Sequence, residues 1–129
     1  MIKIDPIIAV KDIKASSKWY KSVFGLRTRG EHDYFAVLLA ENDEILLCLH
    51  KWEAHEHPTM INPNISPGNG LILYFRTENI NQIRQNVITL GCSIEEDIHL
   101  NPNSTKKEFS LRDPDGYYLT ITEFHKYEG

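Results

Sequence analysis

The chain has 129 residues, 41% of them hydrophobic and 25% charged, with 14 Lys plus Arg against 18 Asp plus Glu and a formal net charge of −4. That length suits one domain, or two small modules sharing a core, and a mildly acidic chain without a basic run argues against nucleic acid as the main partner. No apolar run reaches the roughly eighteen residues a membrane span needs. The stretch after Met1 lacks the apolar run of a signal peptide. Cys48 and Cys92 sit in strand-like runs and read as buried thiols rather than a disulfide framework, so a reducing, cytoplasmic setting is expected.

Ile2 to Val10 reads as a strand, with Ile4, Ile8 and Val10 on one face and Asp5, Ile7 and Ala9 on the other. Asp12 is a helix cap. Behind it Ile13, Tyr20, Val23 and Phe24 form one helical stripe, with Ser16 among them and Trp19 at its edge, and Gly25 ends the helix. Leu26–Gly30, Tyr34–Ala40 and Ile45–Trp52 read as three further strands. The order is β-α-β-β-β. Glu53 to Asn69, with Pro58, Pro63 and Pro67, then breaks the pattern and reads as a linker or loop.

The pattern then repeats. Leu71–Arg76 is a strand, and Asn79 caps a helix with an Ile80, Ile83, Val87 and Leu90 stripe that ends at Gly91. Strands are expected over Cys92 to about His99, Lys107–Arg112 and Tyr117–Phe124, with a polar loop at Asn101–Thr105. The turn Asp113-Pro114-Asp115-Gly116 joins the last two, Pro fixing φ and Gly accepting positive φ. Asp12 and Asn79 are 67 residues apart, and Gly25 and Gly91 are 66 apart. A near-constant offset marks an internal duplication, in which one module alone would leave its sheet half covered. The expected fold is α+β: module 1 over about 1–52, a loop over 53–69 and module 2 over about 70–125. Each module is a curved, mostly antiparallel sheet with its helix outside, and the concave faces form a cleft.

Val10-Lys11-Asp12-Ile13, Trp19-Tyr20 and Phe24-Gly25-Leu26 resemble the opening module of the vicinal oxygen chelate superfamily, which includes glyoxalase I, bleomycin and fosfomycin resistance proteins and extradiol dioxygenases. Arg112-Asp113-Pro114-Asp115-Gly116 is similar to its closing hairpin, and the resemblance covers essentially the whole chain. It implies paired chains, a homodimer, with small-molecule sites in the clefts. In metal-dependent members it implies a His on the first strand, at the position of Asp5 here. It implies a His or Gln opening the second module, here Asn69, Gly70 or Leu71, and a Glu on the last strand, here Thr120. One carboxylate and a hydroxyl do not make a hard-metal site, and Glu123 faces away from Thr120 in an ideal strand. No cofactor is therefore expected, although a divalent metal belongs to the family's enzymes.

Several residues are candidates for ligand binding. Asp5 would take a cationic group, or is an exposed strand end before Pro6. Arg112 would clamp an anion, or pairs with Glu108 or Asp113 at the surface. Tyr118, Thr120 and Thr122 form an amphipathic stripe that suits a pocket, or a dimer contact. Trp52 and His50, on one strand face with Cys48 and Leu46, form a stacking wall and a hydrogen-bonding tip, or a core histidine beside an edge tryptophan. His55-Glu56-His57 has ligand types at a spacing no cage uses. Phosphate loops, a nucleophile elbow and Cys-x-x-Cys motifs are missing. The preferred reading is a metal-free small-molecule binder that sequesters its ligand, as bleomycin resistance proteins do. The alternatives are a metal-dependent lyase, isomerase or thiol transferase of the glyoxalase I or fosfomycin resistance type, and a domain with a protein partner.

Overall fold

A computed structural model describes the chain except residues 2, 55–56, 66–67, 69 and 125–129. The His55-Glu56 part of the histidine pair, the Asn69 candidate and the expected start of the first strand at Ile2 therefore lie outside the described residues. The chain divides into two compact units, Met1–Pro67 and Gly68–Gly129.

The first unit runs β1 (Ile7–Val10), α1 (Ile13–Phe24), β2 (Arg27–Arg29), β3 (Phe35–Leu39) and β4 (Ile45–Lys51), followed by a 3-10 turn at Pro58–Met60. Its sheet order is β1-β4-β3-β2, with β1 parallel to β4 and the other pairs antiparallel. The Asp12 side chain accepts a hydrogen bond from the Ala15 amide at 3.0 Å, satisfying one orphan donor of the first turn. α1 packs against β2, β3 and β4. Ile13, Tyr20 and Val23 on its inner stripe are buried, as are Ile8, Val10, Ala36, Leu38, Leu47 and Leu49 of the sheet. Full burial of each large aliphatic side chain contributes about 1.5–3 kcal/mol.

The second unit repeats the order: β5 (Leu73–Thr77), α2 (Ile80–Thr89), β6 (Glu96–Leu100), β7 (Lys107–Arg112) and β8 (Tyr118–Glu123), as sheet β5-β8-β7-β6 with β5 parallel to β8. α2 packs on β8, and Val87, Phe109, Leu111, Leu119 and Ile121 are fully buried. The tandem β-α-β-β-β architecture read from the sequence is the one observed.

Several boundaries differ, most by one residue, and four of them have an identifiable local reason. β1 starts at Ile7 rather than near Ile2, because Pro6 has no N–H for the ladder and pairing begins with its carbonyl, bonded by the Cys48 amide at 2.8 Å. β4 stops at Lys51, leaving Trp52 in the following turn with its amide on the Val10 carbonyl at 3.2 Å. β5 starts at Leu73, because the Leu71 amide closes a turn on Gly68 at 2.9 Å. β6 starts at Glu96 rather than Cys92. Gly91 (φ +74) donates to the Ile88 carbonyl and Cys92 to that of Val87, a Schellman closure that uses Cys92 to end α2.

Candidate functional site

β-strand alternation and register give the second sheet two unlike faces. Leu73, Phe109, Leu111, Leu119 and Ile121 share the apolar one. The other carries Tyr74 and Arg76 from β5, Tyr118, Thr120 and Thr122 from β8, and Glu108, Ser110 and Arg112 from β7. β6 adds Glu96 opposite Ser110 and His99 opposite Glu108.

Much of this polar face is held by its own hydrogen bonds. The Ser110 and Thr120 hydroxyls meet at 2.9 Å, both buried. Thr122 is fully buried and its hydroxyl donates to the Lys107 carbonyl at 3.4 Å. Glu108 is only 8% exposed. Its carboxylate accepts from the Tyr74 hydroxyl at 3.1 Å and from the Asn101 side-chain amide at 3.0 Å. The His99 Nε2 lies 3.6 Å from Glu108 and 3.4 Å from Glu96, while its Nδ1 is 2.9 Å from the Asp97 carbonyl. Buried polar atoms need such partners.

The Asp113–Gly116 turn shapes the rim. The Asp113 carboxylate accepts from the Asp115 and Tyr117 amides, both at 2.9 Å, and the Gly116 amide closes the turn on the Asp113 carbonyl at 3.0 Å. Gly116 has φ +93, which an L side chain resists. Arg112 lies 5.2 Å over the Tyr118 ring, donates through Nη1 to the Gly116 carbonyl at 2.8 Å, and pairs through Nε with Glu95 at 2.7 Å. The surface ion pair expected with Glu108 or Asp113 is thus made with Glu95. Asp113 is turned onto its own loop, and Glu108 is buried among Tyr74 and Asn101.

Asp5 and Trp52 belong to the first unit. Asp5 is exposed and stands before β1 rather than in it. Burial, and then the Asp5 charge, push the Cys48 thiol above its usual range. His50 is 3% exposed, its Nδ1 lies 2.8 Å from the Lys51 carbonyl, and its ring meets those of Phe35 and His57 edge-on at 6.1 and 4.8 Å. The fold therefore gathers Arg112, Tyr118 and Thr120 on one face of one sheet, with Asp5 and Trp52 in the other unit. Sequence reasoning missed Tyr74 and the partners of Glu108. The alternation Leu73-Tyr74-Phe75 marked Tyr74 as outward from the core, but its bond to a residue 34 positions on required the register.

Two tandem β-α-β-β-β modules, each with its helix on one face of a four-stranded mixed sheet, define a class of α+β proteins. The chain belongs to the glyoxalase/bleomycin resistance protein/dioxygenase superfamily, whose family model matches residues 3–121. Solved structures agree in fold. A virulence protein from Salmonella typhimurium matches with TM-score 0.72 and 24% identity over 97% of this chain and 98% of that one. A lactoylglutathione lyase from Agrobacterium tumefaciens gives 0.71 and 18% over 95% and 92%. A family enzyme from Burkholderia phytofirmans PsJN gives 0.74 and 19% over 91% and 94%. A search of the curated proteins finds no match. No helix of the described residues is long and apolar enough to cross a membrane.

A divalent metal, as the family's enzymes use, fits the described residues poorly. Of the positions that the family resemblance points to, Asp5 is exposed outside the strand, and the Thr120 hydroxyl is bonded to Ser110. Among the described residues no group of three or more His, Cys, Asp and Glu side chains is arranged to hold a metal ion.

Proposed function

We propose that the protein binds a small molecule on the polar face of its second sheet without a resident metal, and sequesters it rather than transforming it. The observation that supports this reading is the make-up of that face: hydroxyls, a buried carboxylate and tyrosine rings on the floor and rim of a rigid sheet. Rigid strands place such groups more accurately than loops do. Tyr118 and Thr120 supply an aromatic wall and a polar floor, and Arg112, stacked on Tyr118, holds the rim. Trp52 and Asp5 extend the candidate set in the first unit. A homodimer is part of the reading, because β1 and β5 stand at the edges of their sheets and Ile4, Ile7, Leu71 and Ile72 are exposed. A single-chain mass across micromolar concentrations in sedimentation would count against the dimer.

The test of binding is a fragment screen read by backbone amide shifts, with and without chelator. Hits should move the Tyr118 and Thr120 amides equally in both conditions, and Tyr118→Ala should weaken them by about tenfold. Hits lost on chelation would favour the metal-dependent enzyme reading.

A further inference from the structure

The Tyr74–Glu108 hydrogen bond crosses a strand. β5 and β7 both flank β8, Tyr74 pairs with Thr120, and Glu108 pairs with Thr122. A bond of 3.1 Å between the two side chains therefore runs over the polar face of β8, across the Thr120–Thr122 stretch. Those threonines are 6% and 0% exposed, although they stand on the polar face. Tyr74 itself is 37% exposed, so the cover over the floor is one side chain thick and open to solvent on its far side.

The other module shows that the fold does not need this pair. In the first sheet the residue that pairs with the middle strand as Tyr74 does is Ile7, opposite Cys48. The residue that takes the place of Glu108, two positions further along that strand, is Phe35, opposite His50. The same architecture is thus built with an apolar pair at these two positions. Burying a carboxylate is costly even when hydrogen-bonded, and an architecture that accepts Ile and Phe there gives no structural reason for it.

We propose that Glu108 is the ligand-recognising carboxylate of this face, and that Tyr74 holds its donor position until a ligand carrying an ammonium or amidinium group displaces the tyrosine hydroxyl. This rests on the reading of the face as a binding site and names the class of ligand it takes. Displacement exchanges one O–H donor on Glu108 for a charged N–H donor, which makes a stronger hydrogen bond. Rotation of the Tyr74 side chain away from β8 also uncovers the Ser110 and Thr120 hydroxyls for the rest of the molecule. Asn101, on the other carboxylate oxygen, keeps Glu108 oriented throughout.

The experiment uses benzylammonium and benzoate, a pair of similar shape and opposite charge, titrated against the full chain while amide shifts are followed. Wild type, Tyr74→Phe and Glu108→Gln are compared. Tyr74→Phe keeps the ring and frees the carboxylate oxygen, so benzylammonium should bind about three- to tenfold more tightly. Glu108→Gln keeps the shape and loses the charge, so its affinity should fall at least tenfold. Benzoate should gain nothing from Tyr74→Phe and lose nothing with Glu108→Gln. An unchanged benzylammonium affinity in Tyr74→Phe, which is the conservative variant and the one least exposed to folding defects, overturns the proposal. If benzoate moves the Tyr118 and Thr120 amides and benzylammonium does not, the face binds ligands and the assignment to Glu108 is wrong. If neither probe moves them, the binding face itself fails and the inference with it.

Discussion

The two modules share a backbone plan and differ in what they put on the sheet face away from the helix. In the first, that face carries Ile7, Ala9, Phe35, Val37, Cys48 and His50, of which Ala9, Cys48 and His50 are buried. In the second, the matching positions hold Tyr74, Arg76, Glu108, Ser110, Thr120 and Thr122. The helix-side faces are alike, apolar and largely buried. The duplication therefore separates what the architecture requires from what one copy adds to it. The helix-side core is common to both, and the polar platform belongs to the second module alone. A lesser contrast lies at the starts of the helices. A groove of about 360 Å³ beside α1 is lined by Lys11, Lys14 and Lys51 together with Asp12 and Asp33, and its counterpart of about 690 Å³ beside α2 is lined by Glu78 and Glu123 with no Lys or Arg.

If the common core is equivalent, matched truncations should be too. Leu49 and Ile121 occupy matching places on the middle strands and are both fully buried. Leu49→Ala and Ile121→Ala should each lower stability by about 2–5 kcal/mol through lost burial and an incompletely collapsed cavity. Urea denaturation of both variants checks it, and a loss in only one module would break the equivalence.

Gly116→Val sharpens the picture of the second module's rim. Nothing lies within 4 Å of an added Cβ, so the strain comes from φ +93 alone. A β-branched residue there should cost about 1–3 kcal/mol. An unchanged melting temperature would mean the turn can adopt another type.

The helix caps differ in a way that can be measured. Asp12→Ala removes the bond to the Ala15 amide and should cost about 1 kcal/mol, whereas Asn79 makes no side-chain cap bond and Asn79→Ala should be close to neutral. Equal losses from the two substitutions would contradict the cap geometry.

The smallest effect is electrostatic. Arg84 grips Asp97 with two hydrogen bonds of 2.8 Å, tying α2 to β6. This pairing, followed by the Ile98 amide, lowers the Asp97 pKa from 3.8 to about 2. A folded pKa below the unfolded one contributes stability that is present above the unfolded value and lost as pH falls through the folded value. Asp97→Asn should therefore flatten the stability profile between pH 4 and 2 and leave it unchanged in shape near neutrality. The pair is exposed and screened, so the change is small. A wild-type acid limb identical to that of the variant would show that the pair contributes nothing.

The duplication, both helices and the final hairpin were legible because each rests on local chemistry. Asp12 and Asn79 mark helix starts, Gly25 and Gly91 mark ends, and Lys107–Arg112 was bounded correctly by its own alternation. Strand starts were less legible where a neighbour's hydrogen bonds decide them. Pro6 delays β1, and Cys92 is drawn into the closure of α2. For the candidate face, alternation identified Tyr118, Thr120 and Thr122 as one stripe, but not that Ser110 would satisfy Thr120 or that Tyr74 would lie across them. Those facts depend on register between strands far apart in sequence, which periodicity does not carry.

The most direct test of whether the second module's polar platform serves a ligand rather than the fold is to give it the first module's residues. Tyr74→Ile combined with Glu108→Phe copies Ile7 and Phe35 onto the same two positions. The expected result is a cooperatively folded protein within about 1–2 kcal/mol of wild type that has lost at least tenfold in affinity for benzylammonium. A variant that fails to fold, or one that binds the probe as well as wild type does, would contradict it.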